Sequence, residues 1–430
     1  MSPSAPHPPH HPKDPIGWTV AVSLAFLGLC LVRLTIPSKP YFDEVHYLPA
    51  ARAILEMAQP LNPEHPPLGK EILALGIALF GDRPLGWRIM PALFGVLGLF
   101  AGMRGLWFAS GSRFATIAFG LLLATAPHLL IQSRIAMLDV FMASFTLVAL
   151  WMCAGAVREP ETARWRLAVG GAALGLAMAS KWNVLPLAAL PGLAFLAVRI
   201  RTAGWNFLTA HRGAPVPGMT LIEASLWLGL VPLAVYAASF WPHFLYAEKS
   251  MTPWGLVDWN RHMLELQGQV VEPHTYMSRW YHWLGNWRAI WYLYEVVDGA
   301  QRGVLLVGNP LTMLIGVPAM LWCAWIGFSR RRWDAAAVFA LYAVGFGMWI
   351  VAPKPVQFYY HYLLPSCFLM AGLALALDAL WQRGGRWRWA PIAVLTVACG
   401  LFAYFWPIYS AARLDEGTDF LRYTWLDSWR

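Results

Sequence analysis

Two adjacent carboxylates, Asp43 and Glu44, stand a few residues beyond the first long apolar stretch of the chain. Neighbouring side chains point in different directions on a helix or a strand, so one can face a reacting group while the other holds a basic neighbour. A carboxylate at a low-dielectric boundary has its pKa raised by desolvation and lowered by nearby cations, which is how a general base is tuned. Acids at this place also suit a helix N-terminus, where the macrodipole favours them. Downstream, His65-Pro66-Pro67-Leu68-Gly69-Lys70 is a stiff turn, because each proline restricts itself and the residue before it. His65 and Lys70 in that turn are candidates to contact an anionic group. Arg88, Arg134, Asp139 and Lys181 stand at or inside the ends of apolar stretches. Ionisable groups are costly in a bilayer and face a cavity or a partner. Their shared side predicts one polar pocket with cations suited to a phosphate; snorkelling to headgroups is the alternative for Arg88 and Lys181 taken singly. A last run, Lys354 to Tyr362, brings Tyr360 and His361 to the same side, as an aromatic anchor or as a wall of the site.

The elements that must hold these residues are membrane helices. Of the 430 residues, 58% are hydrophobic and only 13% charged, whereas soluble domains carry roughly a quarter charged residues. The 25 tryptophans suit a chain with many membrane–water boundaries. A span needs roughly 20 apolar residues, and on that ruler about eleven helices are expected. They fall near 16–36, 86–108, 114–131, 137–157, 167–180, 182–199, 221–241, 303–327, 335–352, 360–381 and 389–410. Arginines such as Arg104, Arg113, Arg164, Arg166, Arg201, Arg331 and Arg386 recur on one side of successive spans, which makes that side cytoplasmic. The first stretch is long enough to span and carries no obvious small-residue cleavage site.

The expected organisation is therefore a disordered, Pro/His-rich cytoplasmic arm over 1–15, a transmembrane domain over 16–410, and an extracytoplasmic tail over 411–430. Two outer loops, 37–85 and 242–302, hold most of the remaining acids. Within the first, 42–58 and 68–80 show helical spacing of apolar positions and predict short amphipathic helices along the membrane. The second is rich in Trp and Tyr, as an interfacial belt or as a surface for stacking a sugar or an acceptor. The net charge of +9 is spread over short loops, which excludes a nucleic-acid module. The 5 cysteines lie in or beside apolar stretches without metal-ligand spacing. The sequence contains no P-loop, GxGxxG, HExxH or GxSxG motif, which argues against nucleotide-driven transport, zinc proteolysis and hydrolase chemistry. A carboxylate pair can hold a divalent cation, although no full ligand set is apparent.

Phe42-Asp43-Glu44-Val45-His46-Tyr47, the His65–Lys70 run, Arg88 with Pro91-Ala92-Leu93-Phe94-Gly95, and Arg134 with Leu138-Asp139 resemble the protein O-mannosyltransferase family. Ala179-Ser180-Lys181-Trp182, His274-Thr275-Tyr276 with Ser278-Arg279-Trp280, and the Tyr-His-Tyr-Leu run at 360–363 extend the resemblance from about residue 40 to 380. It implies an all-α polytopic membrane protein of the GT-C glycosyltransferase fold, using a dolichyl- or polyprenyl-phosphate-mannose donor with inversion at the anomeric carbon. It also implies that Asp43 is the base toward a Ser or Thr hydroxyl of a secreted polypeptide, with Glu44 and Arg88 supporting the site. Lys181 would hold the lipid phosphate. Position adds Arg88 and Arg134 as phosphate-binding candidates, with His65, Lys70, Asp139, Tyr360 and His361 as supporting or substrate-binding residues. Eukaryotic members carry a large folded insert in the late outer loop, and here that loop is short. A bacterial inner-membrane protein with its site facing the periplasm is the resulting expectation. Transfer of another sugar onto lipid A or an envelope glycolipid is the alternative. A lipid or solute transporter is the reading without chemistry, but no inverted repeat is visible.

Overall fold

Each apolar stretch expected to span forms a helix over most of its length in the computed structural model, which describes residues 13–269, 272–352 and 354–430. Of the arm expected over 1–15, residues 1–12 lie outside the described residues. The chain enters α1 (Ile16–Leu31), then the two short helices α2 (Glu44–Leu55) and α3 (Leu68–Phe80), close to the amphipathic helices expected there. Six helices follow: α4 (Pro84–Ser110), α5 (Arg113–Ala124), α6 (Pro127–Gln132), α7 (Asp139–Arg158), α8 (Ala163–Ser180) and α9 (Leu185–Ala203). A further apolar segment holds α10 (Leu221–Ser225) and α11 (Val231–Ala238), joined by a π turn. Then come α12 (Leu256–Gly268), α13 (Trp280–Leu284) and a hairpin of β1 (Ile290–Val297) and β2 (Ala300–Leu306). The chain closes with α14 (Pro310–Ser329), α15 (Trp333–Val351), α16 (Leu363–Arg383), α17 (Trp389–Tyr409) and a short β3 (Arg413–Leu414).

Two expectations need correction. The fold is mostly helical but not wholly so, because β1, β2 and β3 form an antiparallel sheet in that order. Asp298 and Gly299, both at positive φ, make the two-residue turn between β1 and β2 that matches strand twist. The span expected over 303–327 accordingly begins only at Pro310, where Asn309 caps the helix by accepting from the Thr312 amide. Among the described residues, eight helices are long and apolar enough to cross a membrane, and α1 and α5 are shorter apolar helices. Together with α8 they make up the eleven stretches read from the sequence.

Close approach of helices rests on small residues. A Cβ on Gly95 of α4 would lie 1.9 Å from the Ser133 hydroxyl, and one on Gly98 would lie 2.8 Å from that of Ser144 on α7. Ser144 in turn donates to the Phe94 carbonyl at 2.6 Å, so α4 and α7 are pinned together along one face. α16 is buried along nearly its whole length and runs through the centre of the bundle, whereas α17 and the 221–238 segment leave large apolar side chains exposed. Leu230, Leu233, Trp389 and Val397 are among these exposed groups, as a lipid-facing surface requires.

This packing makes a direct prediction. Gly95→Val forces a branched side chain into the α4 contact, and overpacking of this kind costs about 1–3 kcal/mol or more. Its melting temperature in detergent should fall clearly below that of the parent protein. Gly17→Val, with nothing within 4 Å of the added carbon, should melt as the parent does.

Candidate active site

The two adjacent carboxylates have opposite surroundings. Glu44, fully buried at the start of α2, accepts from Arg88 Nε and Nη2 at 2.8 Å each, from the Tyr41 amide at 3.2 Å and from the Ala136 amide at 2.9 Å. Arg88 spends its other donors on the carbonyls of Leu34, Pro37 and Lys39, at 3.2, 2.7 and 3.1 Å. All five guanidinium N–H groups are thus used. This knot ties the turn after α1, the start of α2, the first turns of α4 and the α6–α7 connection to one another.

Asp43 is only half-buried, and its carboxylate has no hydrogen bond among the described residues. Its pKa is pushed up to about 6: burial raises it most, Lys181 opposes, Asp139 raises it further, and His46 and Lys354 lower it. The residue before it, Phe42, sits at φ 49, a left-handed conformation rare for a bulky side chain. Phe42 keeps that conformation packed on Tyr292 of β1, ring centroids 4.2 Å apart, with the edge of Tyr360 at 6.1 Å. The Tyr292 hydroxyl is itself fixed by Gln132 Nε2 at 3.0 Å.

Opposite Asp43 lies a cationic group. Lys181 follows the end of α8 and donates from Nζ to Asp139 Oδ2 at 2.7 Å, while its ammonium lies 5.3 Å from the centre of the Tyr360 ring. Asp139 opens α7, and its second oxygen is buried without a partner among the described residues. Lys354, in the connection between α15 and α16, has no side-chain hydrogen bond among the described residues and is lowered to about 8, by burial first and then by Lys181. His65 is half-buried, with Nδ1 unpartnered among the described residues. Burial first, then Lys181, Lys70 and Lys354, hold its imidazole well below the usual value and therefore neutral. His361 accepts the Phe358 amide on Nδ1 at 3.0 Å and stacks on Trp349 at 4.1 Å, with no hydrogen bond to Nε2 among the described residues. Asp43, Asp139, Lys181, Lys354, His65 and Tyr360 therefore border one polar site where a proton can be taken on one side and an anion held on the other.

Other candidates fall elsewhere. Arg88 retains no donor for a phosphate, and Glu44 retains no lone pair for a substrate proton; both position the site and neither faces it. The Asp43–Glu44 pair is not a joint cation site, for the same reason. Arg134 Nη1 donates to the carbonyls of Leu29 and Cys30 at 2.9 and 2.7 Å, satisfying the last turn of α1, and its charged neighbours are Arg33 and Arg88. Lys70 is buried, with Nζ on the carbonyls of Leu61, Asn62 and His65 at 3.4, 2.8 and 2.9 Å. It holds the turn that presents His65. Sequence reasoning left Lys354 out of the main set and missed the part played by Tyr292. The Asp298-Gly299 pair between β-branched and aromatic runs was the signal that could have found the hairpin.

Two family models match in succession. One described as dolichyl-phosphate-mannose-protein mannosyltransferase covers residues 83–247, and one described as the C-terminal four-transmembrane region of protein O-mannosyltransferase covers 255–429. This chain belongs to the protein O-mannosyltransferase family. Among relatives of the family, the polyprenol-phosphate-mannose–protein mannosyltransferase of Corynebacterium glutamicum is 28% identical over 98% of this chain and 96% of its own length. The protein of the same description from Mycolicibacterium smegmatis is 28% identical over 100% of this chain and 96% of its own length. The solved S. cerevisiae protein O-mannosyltransferase complex bound to the sugar donor superposes with a TM-score of 0.83 at 14% identity, over 97% of this chain and 93% of that one. ArnT from Cupriavidus metallidurans bound to undecaprenyl phosphate gives 0.54 at 18%, over 91% and 65%. The fold is that of the GT-C glycosyltransferases.

The division of labour between the two acids can be tested on stability alone. Glu44→Ala leaves a buried guanidinium unpaired, and breaking such a pair costs roughly 3–5 kcal/mol. A marked drop in thermal stability is expected for Glu44→Ala and little change for Asp43→Ala, with scanning fluorimetry of the purified proteins as the check.

Proposed function

We propose that this integral membrane protein transfers mannose from a polyprenyl-phosphate carrier to Ser or Thr hydroxyls of secreted polypeptides, with inversion. The observation that carries the mechanism is the unbonded, half-buried Asp43 carboxylate facing Lys181 and Lys354, beside a twin that is fully engaged. Near neutral pH Asp43 is ionised yet basic enough to take a proton, as a general base should be. It accepts the proton of the acceptor hydroxyl as that oxygen attacks the anomeric carbon. The bond from this carbon to the phosphate oxygen breaks on the opposite face, and its electron pair leaves with the polyprenyl phosphate. Lys181 and Lys354 stabilise the charge that grows on the phosphate. Asp139 and the Tyr360 ring keep Lys181 in place, and neutral His65 offers a hydrogen-bonding group at the rim. Relatives matched over nearly their whole length are described as acting on protein, which favours a polypeptide acceptor over lipid A or another glycolipid.

The arginine-rich turns support a membrane orientation with Ser329 on the cytoplasmic side and the Asp43 site on the outer side of a bacterial plasma membrane. A cysteine at Ser250, exposed on the site face, should react with an impermeant thiol reagent in intact cells, and one at Ser329 should not. The reverse pattern would invert the orientation.

Asp43→Asn keeps shape and removes basicity. Mannosyl transfer in membranes should fall by about a hundredfold or more, with donor binding retained. Near-normal transfer would remove Asp43 from this role. Because only ionised Asp43 accepts the proton, kcat/KM should decline as pH falls through about 6. It should also decline as pH rises through about 8, where Lys354 of the free enzyme loses its charge. Lys354→Met should flatten the alkaline limb. It should also weaken binding of a polyprenyl-phosphate analogue by roughly tenfold or more, as the loss of a charge-assisted contact does.

A further inference from the structure

The helices that carry the site at one end converge on a second feature at the other. Arg88 and Ser110 are separated by about 33 Å along α4, at 1.5 Å per residue, and α16 likewise runs from the Tyr360–His361 corner to Arg383. At this far end a cavity of about 1040 Å3 opens between three pieces of chain. They are the α4–α5 turn at Ser110–Arg113, the α14–α15 turn at Arg331–Asp334, and the last turns of α16 at Asp378–Gln382.

The chemistry of its lining is uneven in an informative way. Asp378 is buried and tied down by neutral donors, the Ser112 hydroxyl at 2.8 Å and Gln382 Nε2 at 3.1 Å. Arg332 is occupied by Asp334 through bonds of 2.7 and 3.1 Å. Arg113 and Arg331 are different: both are exposed, and neither makes a side-chain hydrogen bond among the described residues. Arg331 is also held at φ 54 in the turn, a strained backbone for a side chain of its size. Between the two arginines the wall is aromatic, with Phe114 and Trp381 stacked at 4.4 Å and 9°.

The surroundings indicate what kind of anion such a cavity meets. Trp325, Phe328 and Trp333 are 58%, 74% and 72% exposed along the adjoining end of α14 and the start of α15. Aromatic side chains in that number at helix ends mark the headgroup depth of a bilayer. A cavity with two free guanidinium groups, an aromatic wall and a lipid-facing rim matches a phosphodiester headgroup whose acyl chains run along the exposed face of α14. Basic pockets between membrane helices hold anionic lipids in this manner.

We propose that this cavity, remote from Asp43, binds the headgroup of an anionic phospholipid through Arg113 and Arg331. The test uses the full chain in detergent, titrated with phosphatidylglycerol or phosphatidylcholine and followed by native mass spectrometry. Arg113→Gln combined with Arg331→Gln should weaken phosphatidylglycerol binding by about tenfold or more. Arg201→Gln combined with Arg212→Gln, two exposed arginines on a different turn, should change it by less than about twofold. Independently of any variant, the parent protein should retain phosphatidylglycerol over phosphatidylcholine, and excess inorganic phosphate should not displace it. An equal loss in both arginine pairs, no loss in either, equal retention of the two lipids, or displacement by inorganic phosphate would each overturn the proposal. The last result would assign the cavity to a soluble anion.

Discussion

Arg88 and Glu44 are buried together, and their seven hydrogen bonds, two of them to each other, join four separate stretches of chain. A charged pair taken out of water carries a desolvation penalty that only good geometry and complete hydrogen bonding can offset. Here both conditions are met: the contact is bidentate, the guanidinium has no idle donor, and the remaining acceptor capacity of the carboxylate meets backbone amides. The knot leaves the next residue back along the chain with little freedom. Once Glu44 points inward to α4, Asp43 has to point the other way, into the polar site.

That opposition also separates the electrostatics of the two acids. Glu44 receives four donors and serves as a fixed structural charge. Asp43 receives none and feels burial most strongly, which moves it to about 6. Two identical functional groups one residue apart thus acquire different roles from their surroundings alone. The cations opposite are arranged by similar means. Asp139 leads α7 and holds Lys181 from the end of α8, and Leu138 beside it packs so closely on α3 that a Cβ at Gly69 would lie 2.8 Å from it. The turn bearing His65, the start of α7 and the end of α8 are therefore fixed relative to one another before any substrate arrives.

Much of this was legible in the sequence, for identifiable reasons. Length and hydropathy gave the long helices, and helical spacing gave α2 and α3 to within a few residues. Residue type and depth placed Asp43, Asp139 and Lys181 on one side. Type and depth do not say how many donors a side chain has left: Arg88 spends all of its own on Glu44 and backbone carbonyls, Lys70 spends its own on carbonyls, and Arg134 gives Nη1 to the end of α1. Each of the three satisfies carbonyls at the end of a helix or turn, a demand visible only once the backbone path is known. The hairpin was hidden by its own composition, since the apolar run Val304 to Val307 stands only three residues, Gly308-Asn309-Pro310, before the apolar stretch of α14. Strand and helix cannot be told apart there by apolar content alone.

The corner next to the site is closed by residues distant in the chain. Tyr359, adjacent to the ring beneath Lys181, donates its hydroxyl to Asn286 Oδ1 at 2.8 Å, and Asn286 also brackets Gly308 through its side-chain amide. The backbone carbonyl of Asn286 accepts from Trp429 Nε1 at 2.7 Å, while Trp291 of β1 donates to the Trp429 carbonyl at 3.1 Å. A nascent chain that has inserted every helix through α16 still lacks this clasp. During biosynthesis the corner is therefore completed late, when the segment around Trp429 has been made and folded back over the hairpin.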